Sequence, residues 1–227
     1  ENLDIDNNIL AVAAHEDGVL LYDISNPVNP SILTVVNSDN AWTVDLEGDY
    51  LYVGDESVLK IFNANDFSFY ISLELSNSIK DIIVDNQTLY VALGSHGVIC
   101  FEIHDNLNPE LIDTYSTSAM ANRLSLMSEN LLAVSDWDDV EVLELIQGEL
   151  ALVAYKNTTR RTMAIASKDE YIYSAEWNSV QIFKFGEIDG PDIDLSLYEL
   201  NYPYVNDGDS FSMFLDVVNN GNQDLTI

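Results

Sequence analysis

Carboxylates dominate the residues of this sequence that could do chemistry, and they concentrate in short turns. The densest turn is DWDD, in which Asp136, Asp138 and Asp139 place three carboxylates within four residues. Hard cations such as Ca²⁺ bind several oxygen ligands at once, so this turn is a candidate calcium site, with Asp138 and Asp139 as the first choices. The turn lacks the D-x-D-x-D-G pattern of a dedicated calcium loop, and the alternative is a solvated acidic turn without an ion.

Basic residues are few, so their positions are informative. Lys80, Arg123, Arg160 and Arg161 lie at or just before predicted inner strands, and Trp42 shares that register. Together they predict a polar ligand or anion site at one mouth of a central channel. The alternative is that these cations only offset neighbouring carboxylates in a very acidic protein.

The sequence shows no catalytic constellation. His15 and His96 lie in equivalent turns of different repeats and are therefore expected to be apart in space. There is no Ser–His–Asp order, no Cys/His metal spacing and no glycine-rich phosphate loop. The single cysteine, Cys100, is expected to be a buried structural thiol. We therefore expect a protein that is not an enzyme.

The elements that must position these residues recur with a period of about 40 residues. Five hydrophobic hairpins repeat, and the valine that opens the second strand of each falls at Val19, Val58, Val98, Val140 and Val180. Four short strands per repeat, separated by turn residues, are typical of a β-propeller blade. We predict an all-β fold: a β-propeller of about five four-stranded blades over residues 1–186, with almost no helix.

The fourth and fifth repeats bear on ring closure. The fourth is predicted to contain strands Ala121–Leu126, Leu131–Ser135, Val140–Leu145 and Glu149–Tyr155, and the fifth only its first three strands. Either residues outside this sequence complete the ring, which would then be incomplete at the N-terminus, or a small five-bladed ring closes imperfectly. An unclosed ring would expose sheet edges that invite pairing with another chain.

The sequence changes character after residue 186. Residues 187–191 are predicted to be a linker, and residues 192–227 contain alternating runs at Ile193–Glu199 and Phe211–Asn219. These runs predict the opening strands of an Ig-like β-sandwich. So few strands cannot bury a sandwich core. We interpret the sequence as a piece of a longer protein.

Two family resemblances accompany this pattern. Val19–Leu33, VLLYDISNPVNPSIL, resembles the LVIVD-repeat family, whose units run strand, D-[VI]-S-[ND]-P-x-[ND]-P, strand; Phe101–Ile112 is a weaker copy. The resemblance covers roughly residues 1–186 and implies a propeller of the kind often found on secreted or surface-anchored bacterial and archaeal proteins. That family has no common catalytic set, so no site residue is carried over.

The tail resembles the start of a CARDB-type, Ig-like module. The matching residues are Pro191–Ile193, Gly208–Ser210 and Val217–Gly221, in the family's order and spacing. Such modules commonly serve as spacers or adhesive units on large surface proteins, and this is what the resemblance implies for the tail.

The net charge of the chain limits the classes of partner that it is expected to bind. The chain has 39 acidic and 8 basic residues and a formal net charge of −31. This disfavours nucleic acid, because phosphate binding needs many Lys and Arg contacts. Salt or divalent cations would relieve the self-repulsion, so surroundings rich in salt or calcium would suit the chain. No apolar run reaches 18 residues, so no membrane span is predicted.

These observations favour a non-enzymatic propeller module, extracellular or on the cell surface, that serves adhesion, scaffolding or assembly with a protein or glycan partner. Three alternatives remain open. The first is a propeller that binds a carbohydrate or small ligand at the channel mouth. The second is a subunit of an ordered extracellular assembly, joined through exposed strand edges. The third is a fragment of a propeller enzyme.

Overall fold

The computed structural model describes residues 2–104, 108–128 and 130–186, and the backbone of two short strands beyond them. The chain divides into two compact units, Glu1–Lys184 and Phe185–Ile227. None of the described residues is helical, and the regular elements are all β-strands. Accordingly, the described ranges contain no helix with the length and hydropathy needed to cross a membrane.

The first unit opens with three antiparallel sheets, each made of four strands in sequence order. Sheet 1 contains β1 (Leu3–Asp6), β2 (Ile9–Ala13), β3 (Val19–Asp23) and β4 (Ser31–Val36). Sheet 2 contains β5 (Ala41–Glu47), β6 (Tyr50–Asp55), β7 (Val58–Asn63) and β8 (Phe69–Glu74). Sheet 3 contains β9 (Asp81–Asp85), β10 (Thr88–Ala92), β11 (Val98–Ile103) and β12 (Pro109–Tyr115). The prediction of all-β, four-stranded antiparallel units is confirmed.

Sheet 4 has five elements and is built differently. They are β13 (Arg123–Ser128), β14 (Leu131–Ile146), β15 (Glu149–Lys168), β16 (Tyr171–Glu176) and β17 (Val180–Lys184). β14 is a hairpin rather than a straight strand, because the Leu145 amide donates a hydrogen bond back to the Asn130 carbonyl at 2.9 Å. The reversal falls at Trp137, whose φ of 57° matches the φ of 55° at Glu56 in the turn between β6 and β7. The predicted turn at residues 136–139 therefore lies inside β14.

The length of β15 corrects one prediction. The sequence predicted a strand that ends at Tyr155, whereas β15 continues to Lys168. Residues 149–157 pair with the second limb of β14, and residues 162–168 pair with β16. A single element thus joins segments that the sequence assigned to the fourth and fifth repeats.

Within the described ranges the hydrophobic core consists of three clusters, each enclosed between two consecutive sheets. Leu21 of sheet 1 packs in one cluster with Leu51 of sheet 2. Leu59 of sheet 2 packs with Leu89 of sheet 3, and Cys100 of sheet 3 shares the last cluster with residues of sheet 4. Successive side chains of a strand point to opposite faces of the sheet, so consecutive apolar residues give both faces apolar side chains. This explains why the sheets stack face against face.

The first strands of consecutive sheets are joined by the same kind of hydrogen bond. In each case an aspartate on one first strand accepts from a main-chain amide of the next first strand. These bonds run to Asp4 from Leu46 (2.7 Å), to Asp45 from Val84 (3.2 Å) and to Asp81 from Leu124 (2.9 Å). The four first strands β1, β5, β9 and β13 therefore lie side by side in chain order.

The second unit is described only by two strands. β18 (Ile193–Leu195) and β19 (Val217–Asn219) pair antiparallel, with Asp194 opposite Val218. They fall within the two runs that the sequence predicted to be strands. The predicted linker at 187–191 and the rest of the predicted Ig-like segment lie outside the described residues.

Candidate functional site

Three carboxylates from β14 form a compact group, which we call the acidic cluster: Asp136, Asp139 and Glu141. One oxygen from each lies within 4.8 Å of the others, and the residues are only 0, 5 and 3% exposed. The hairpin explains the grouping. Asp136 ends its first limb and Asp139 begins its second limb across a tight turn, and Glu141 lies two residues further on, so it shares the face of Asp139.

The segment Ser118–Ala119 holds one oxygen of each carboxylate. The Ser118 hydroxyl lies 2.8 Å from Asp136 Oδ2 and 3.0 Å from Asp139 Oδ2, and the Ser118 amide donates to Glu141 Oε1 at 3.1 Å. The Ala119 amide donates to Asp136 Oδ2 at 2.7 Å. The hydroxyl has one hydrogen, so it donates to only one of the two aspartates at a time.

The second oxygen of each carboxylate is buried without a hydrogen-bond partner. These atoms are Asp136 Oδ1, Asp139 Oδ1 and Glu141 Oε2. Within the described ranges, none of the ion pairs reaches any of the three residues. Burying a carboxylate without compensation is costly, so the cluster requires a proton or a cation.

Electrostatics in the cluster favours proton uptake when no cation is bound. Burial raises the pKa of Glu141 to about 7 and that of Asp139 to about 6, and repulsion from the neighbouring carboxylates adds to both shifts. Burial also raises the pKa of Asp136. Tyr115 adjoins the group: burial raises the pKa of its phenol, and the three carboxylates raise it further.

The sequence identified part of this cluster. It predicted Asp136, Asp138 and Asp139, and the structure brings Asp136 and Asp139 together but leaves Asp138 exposed and outside the cluster. Glu141 was missed, although its position two residues after Asp139 on a predicted strand indicates a shared face. Ser118 was also missed, and its approach from a preceding loop has no local signal in the sequence.

Three of the predicted ligand-binding residues are in contact. The Lys80 ammonium lies 5.0 Å from the centre of the Trp42 ring, and the Arg123 guanidinium donates to the Lys80 carbonyl. The His15 ring packs edge-on against Trp42 with centroids 5.0 Å apart. Arg123 also lies 3.9 Å from the Asp81 carboxylate. Trp42, Lys80 and Arg123 thus form one group, in which cation–π attraction orders the lysine.

Arg160 and Arg161 belong by their contacts to a second group. The Arg161 guanidinium lies 4.8 Å from the centre of the Trp137 ring, at the turn of β14. Arg160, Arg161, Trp177 and Asn178 line an open depression of roughly 280 Å³, and the Trp177 side chain is exposed. Two cations beside an exposed indole form a surface suited to a planar or anionic group.

Comparison with known proteins gives fold information only. No protein family and no curated protein matches the sequence, so the LVIVD and CARDB-type resemblances stay predictions. The Cps50 (Swd1) β-propeller domain of Myceliophteria thermophila aligns with a TM-score of 0.67 and 16% identity, over 80% of this chain and 67% of that one.

Two further solved structures align in the same way. A chain of a mitotic checkpoint complex aligns with a TM-score of 0.70 and 10% identity, over 80% of this chain and 60% of that one. The computationally designed Ika8 protein aligns with a TM-score of 0.67 and 12% identity, over 81% of this chain and 57% of that one. The chain thus spans about three fifths of the length of these structures. At such identities the likeness shows the fold alone, which is β-propeller-like.

Proposed function

We propose that this chain is a non-enzymatic β-propeller module that binds protein through open sheet faces and serves scaffolding, adhesion or assembly outside the cell or at its surface. It contains five propeller repeats, and β15 contributes to both the fourth and the fifth. The observation that carries the proposal is an apolar face on β16 and β17 that none of the described sheets covers. The acidic composition and the family resemblances are the support for an extracellular location.

Equivalent positions in other sheets reveal how unusual this face is. Three cross-strand pairs correspond: Ala11–Leu21 in sheet 1, Tyr90–Cys100 in sheet 3 and Tyr173–Ile182 in sheet 4. The first two pairs are fully buried, because the next sheet packs on them, whereas Tyr173 is 37% and Ile182 is 61% exposed. The neighbouring Val180 is exposed as well. The last sheet therefore has a surface with the composition of an inter-sheet core, and no sheet among the described residues packs on it.

The first sheet has a matching open face on its other side. Leu3 and Ile5 of β1 alternate with aspartates and are 59% and 55% exposed, and Ile32 of β4 is also exposed. If sheets 1 and 4 packed on each other, both sets would be buried. Sheets 1 and 4 therefore each present an apolar face that none of the other described sheets covers. The two faces supply both halves of a sheet-to-sheet contact, so we propose a second copy in a head-to-tail arrangement as the partner.

A second candidate function rests on the group formed by Trp42, Lys80 and Arg123. A lysine over an indole, with an arginine bound to the carbonyl of that lysine, suits an anionic or carbohydrate ligand. Lys80 already lies over the Trp42 ring, so a ligand at this position would have to displace it or bind beside it. The open sheet faces are therefore the stronger basis for a function.

The assembly proposal is tested by the mass of the particle in solution. We expect masses above the 25.4 kDa of one chain, measured by light scattering over a range of concentrations. Association should strengthen with added salt, because salt screens the repulsion between chains of charge −31. Ile182→Glu should abolish the association by placing a charge in the contact, whereas Thr114→Glu, at an exposed strand position in sheet 3, should leave it unchanged. A 25.4 kDa particle at every concentration and salt level would overturn the proposal.

A further inference from the structure

We propose that the acidic cluster, together with Ser118, binds one hard divalent cation, for which Ca²⁺ is the best fit. The inference stands independently of the assembly proposal, because it rests on side chains within the β14 hairpin and the adjoining loop. Its basis is the placement of three buried carboxylates whose free oxygens have no partner.

The spacing of the oxygens matches a common ligand shell. Calcium binds oxygen at about 2.3–2.6 Å, so two ligands on opposite sides of the ion lie roughly 4.6–5.2 Å apart. The three carboxylate oxygens of the cluster all lie within 4.8 Å of one another. Oxygens at this spacing can contact a single ion.

The unpartnered oxygens are an independent sign of a ligand. Asp136, Asp139 and Glu141 each have one oxygen fixed by Ser118–Ala119 and one buried oxygen with nothing to accept from. Buried polar atoms in folded proteins are nearly always satisfied. A divalent cation at the cluster would supply the positive partner that these side chains lack and would offset two of their three negative charges.

The fixed oxygens also make the site pre-organised. Main-chain amides of Ser118 and Ala119 hold Glu141 and Asp136, and these amides cannot rotate away as a long side chain could. The turn between Asp136 and Asp139 is itself anchored, because Arg161 packs over the ring of Trp137. A pre-organised site loses less conformational entropy when the ion binds.

The chemistry of the ligands selects the ion. All of the ligands are oxygens, which suits a hard cation and disfavours zinc or copper, since those prefer nitrogen and sulfur. Mg²⁺ usually retains several waters and binds one or two carboxylates. Three closely spaced carboxylates with a hydroxyl beside them suit Ca²⁺ better.

Terbium luminescence tests the site on the full chain. Tb³⁺ replaces Ca²⁺ at oxygen sites, and the expected sensitisers are Tyr115, which adjoins the three carboxylates, and Trp137, which lies in the turn between Asp136 and Asp139. In buffer with at least about 0.15 M salt, which screens the weak surface sites, we expect saturable emission with one ion per chain and full displacement by Ca²⁺. Calorimetry with Ca²⁺ alone should give the same stoichiometry.

Substitutions in the acidic cluster test whether it is the site that binds Ca²⁺. Asp139→Asn and Glu141→Gln should each weaken Ca²⁺ binding at least tenfold, with circular dichroism unchanged. Asp138→Asn is the matched control: Asp138 is the exposed neighbour in the same turn and acts on the cluster only through its charge, so this variant should weaken Ca²⁺ binding less than either cluster variant. Equal Ca²⁺ affinity in Glu141→Gln and the unmodified chain, or no Ca²⁺ binding at millimolar concentration, would overturn the proposal.

Discussion

The carboxylate of Asp81 accepts a hydrogen bond at 2.9 Å from the main-chain amide of Leu124, which follows 43 residues later in the sequence. The same carboxylate accepts from the Asn2 side-chain amide, Nδ2, at 2.9 Å and from the Thr43 hydroxyl at 3.1 Å. Burial raises the pKa of Asp81, and the nearby Arg123 guanidinium partly offsets this. One buried side chain therefore connects residues at the first strands of all four sheets.

We predict that Asp81→Ala lowers the free energy of unfolding by about 2–4 kcal/mol, because it leaves the Leu124 amide buried without an acceptor. Asp81→Asn keeps an acceptor oxygen and should cost less. Urea unfolding monitored by tryptophan fluorescence measures both. Glu16→Ala, at an exposed turn, is the control and should change stability by no more than about 0.5 kcal/mol. A loss of that small size for Asp81→Ala would show that the contact is energetically unimportant.

Stability should fall as pH rises from about 4 to about 8 when divalent cations are removed. Burial raises the pKa of Asp45 to about 8, that of Glu141 to about 7 and that of Asp139 to about 6. In this range the folded state holds protons that the unfolded chain releases, so raising the pH favours unfolding.

Thermal melts in a chelator at about pH 5 and about pH 8 measure this dependence. Added Ca²⁺ should reduce the difference, because an ion at the acidic cluster replaces the protons of Asp139 and Glu141. Asp45 is distant in sequence from the cluster and should keep its own share of the pH dependence. A chelated protein that is more stable at the higher pH would contradict the prediction.

Two glycines with positive φ form a matched pair. Gly97 has a φ of +73°, and an added Cβ would lie 2.0 Å from the Tyr115 carbonyl oxygen, whereas Gly48 has a φ of +59° and open space around it. Gly48→Ala should cost only the backbone strain of about 1–2 kcal/mol. Gly97→Ala must also displace main chain in β12, so we expect a loss above roughly 3 kcal/mol or failure to fold. Similar urea midpoints for the two variants would show that the approach to Tyr115 is not restrictive.

Cys100 should be unreactive in the folded protein. The side chain is fully buried in the cluster between sheets 3 and 4, and burial raises the pKa of its thiol to about 12. Because the thiolate is the reactive form, labelling by a thiol reagent should be at least about 100-fold slower in the native chain than in urea. Rapid labelling under native conditions would mean that sheets 3 and 4 separate readily.

The repeat was predictable from local patterns, and the long strand was not. Four of the five phased valines open a strand in the structure, and these are Val19, Val58, Val98 and Val180. Their hairpins depend on alternation and turn residues, which are local in sequence. The path of β15 from residue 155 to residue 168 depends instead on pairing with two different partners, and this is a tertiary effect.

The candidate sites were likewise predictable from local sequence only in part. The contact between Lys80 and Trp42 agrees with the shared register that the repeat implies, because equivalent residues of neighbouring repeats lie side by side. The grouping of Asp136 with Asp139 follows from the tight turn between them. The role of Ser118 depends on a loop folding over the hairpin, and nothing in the local sequence specifies that approach.

The aspartate-to-amide bonds between successive first strands bear on how such a chain can grow and diverge. Each of the first three repeats supplies its own acceptor, Asp4, Asp45 or Asp81, and needs from the following repeat only a main-chain N–H. Every residue except proline has that group, so the linkage does not depend on which side chains the neighbour carries. A duplicated repeat would carry its own aspartate acceptor and could form the hydrogen bond to its neighbour without further substitutions. Its outward-facing residues would then be free to change.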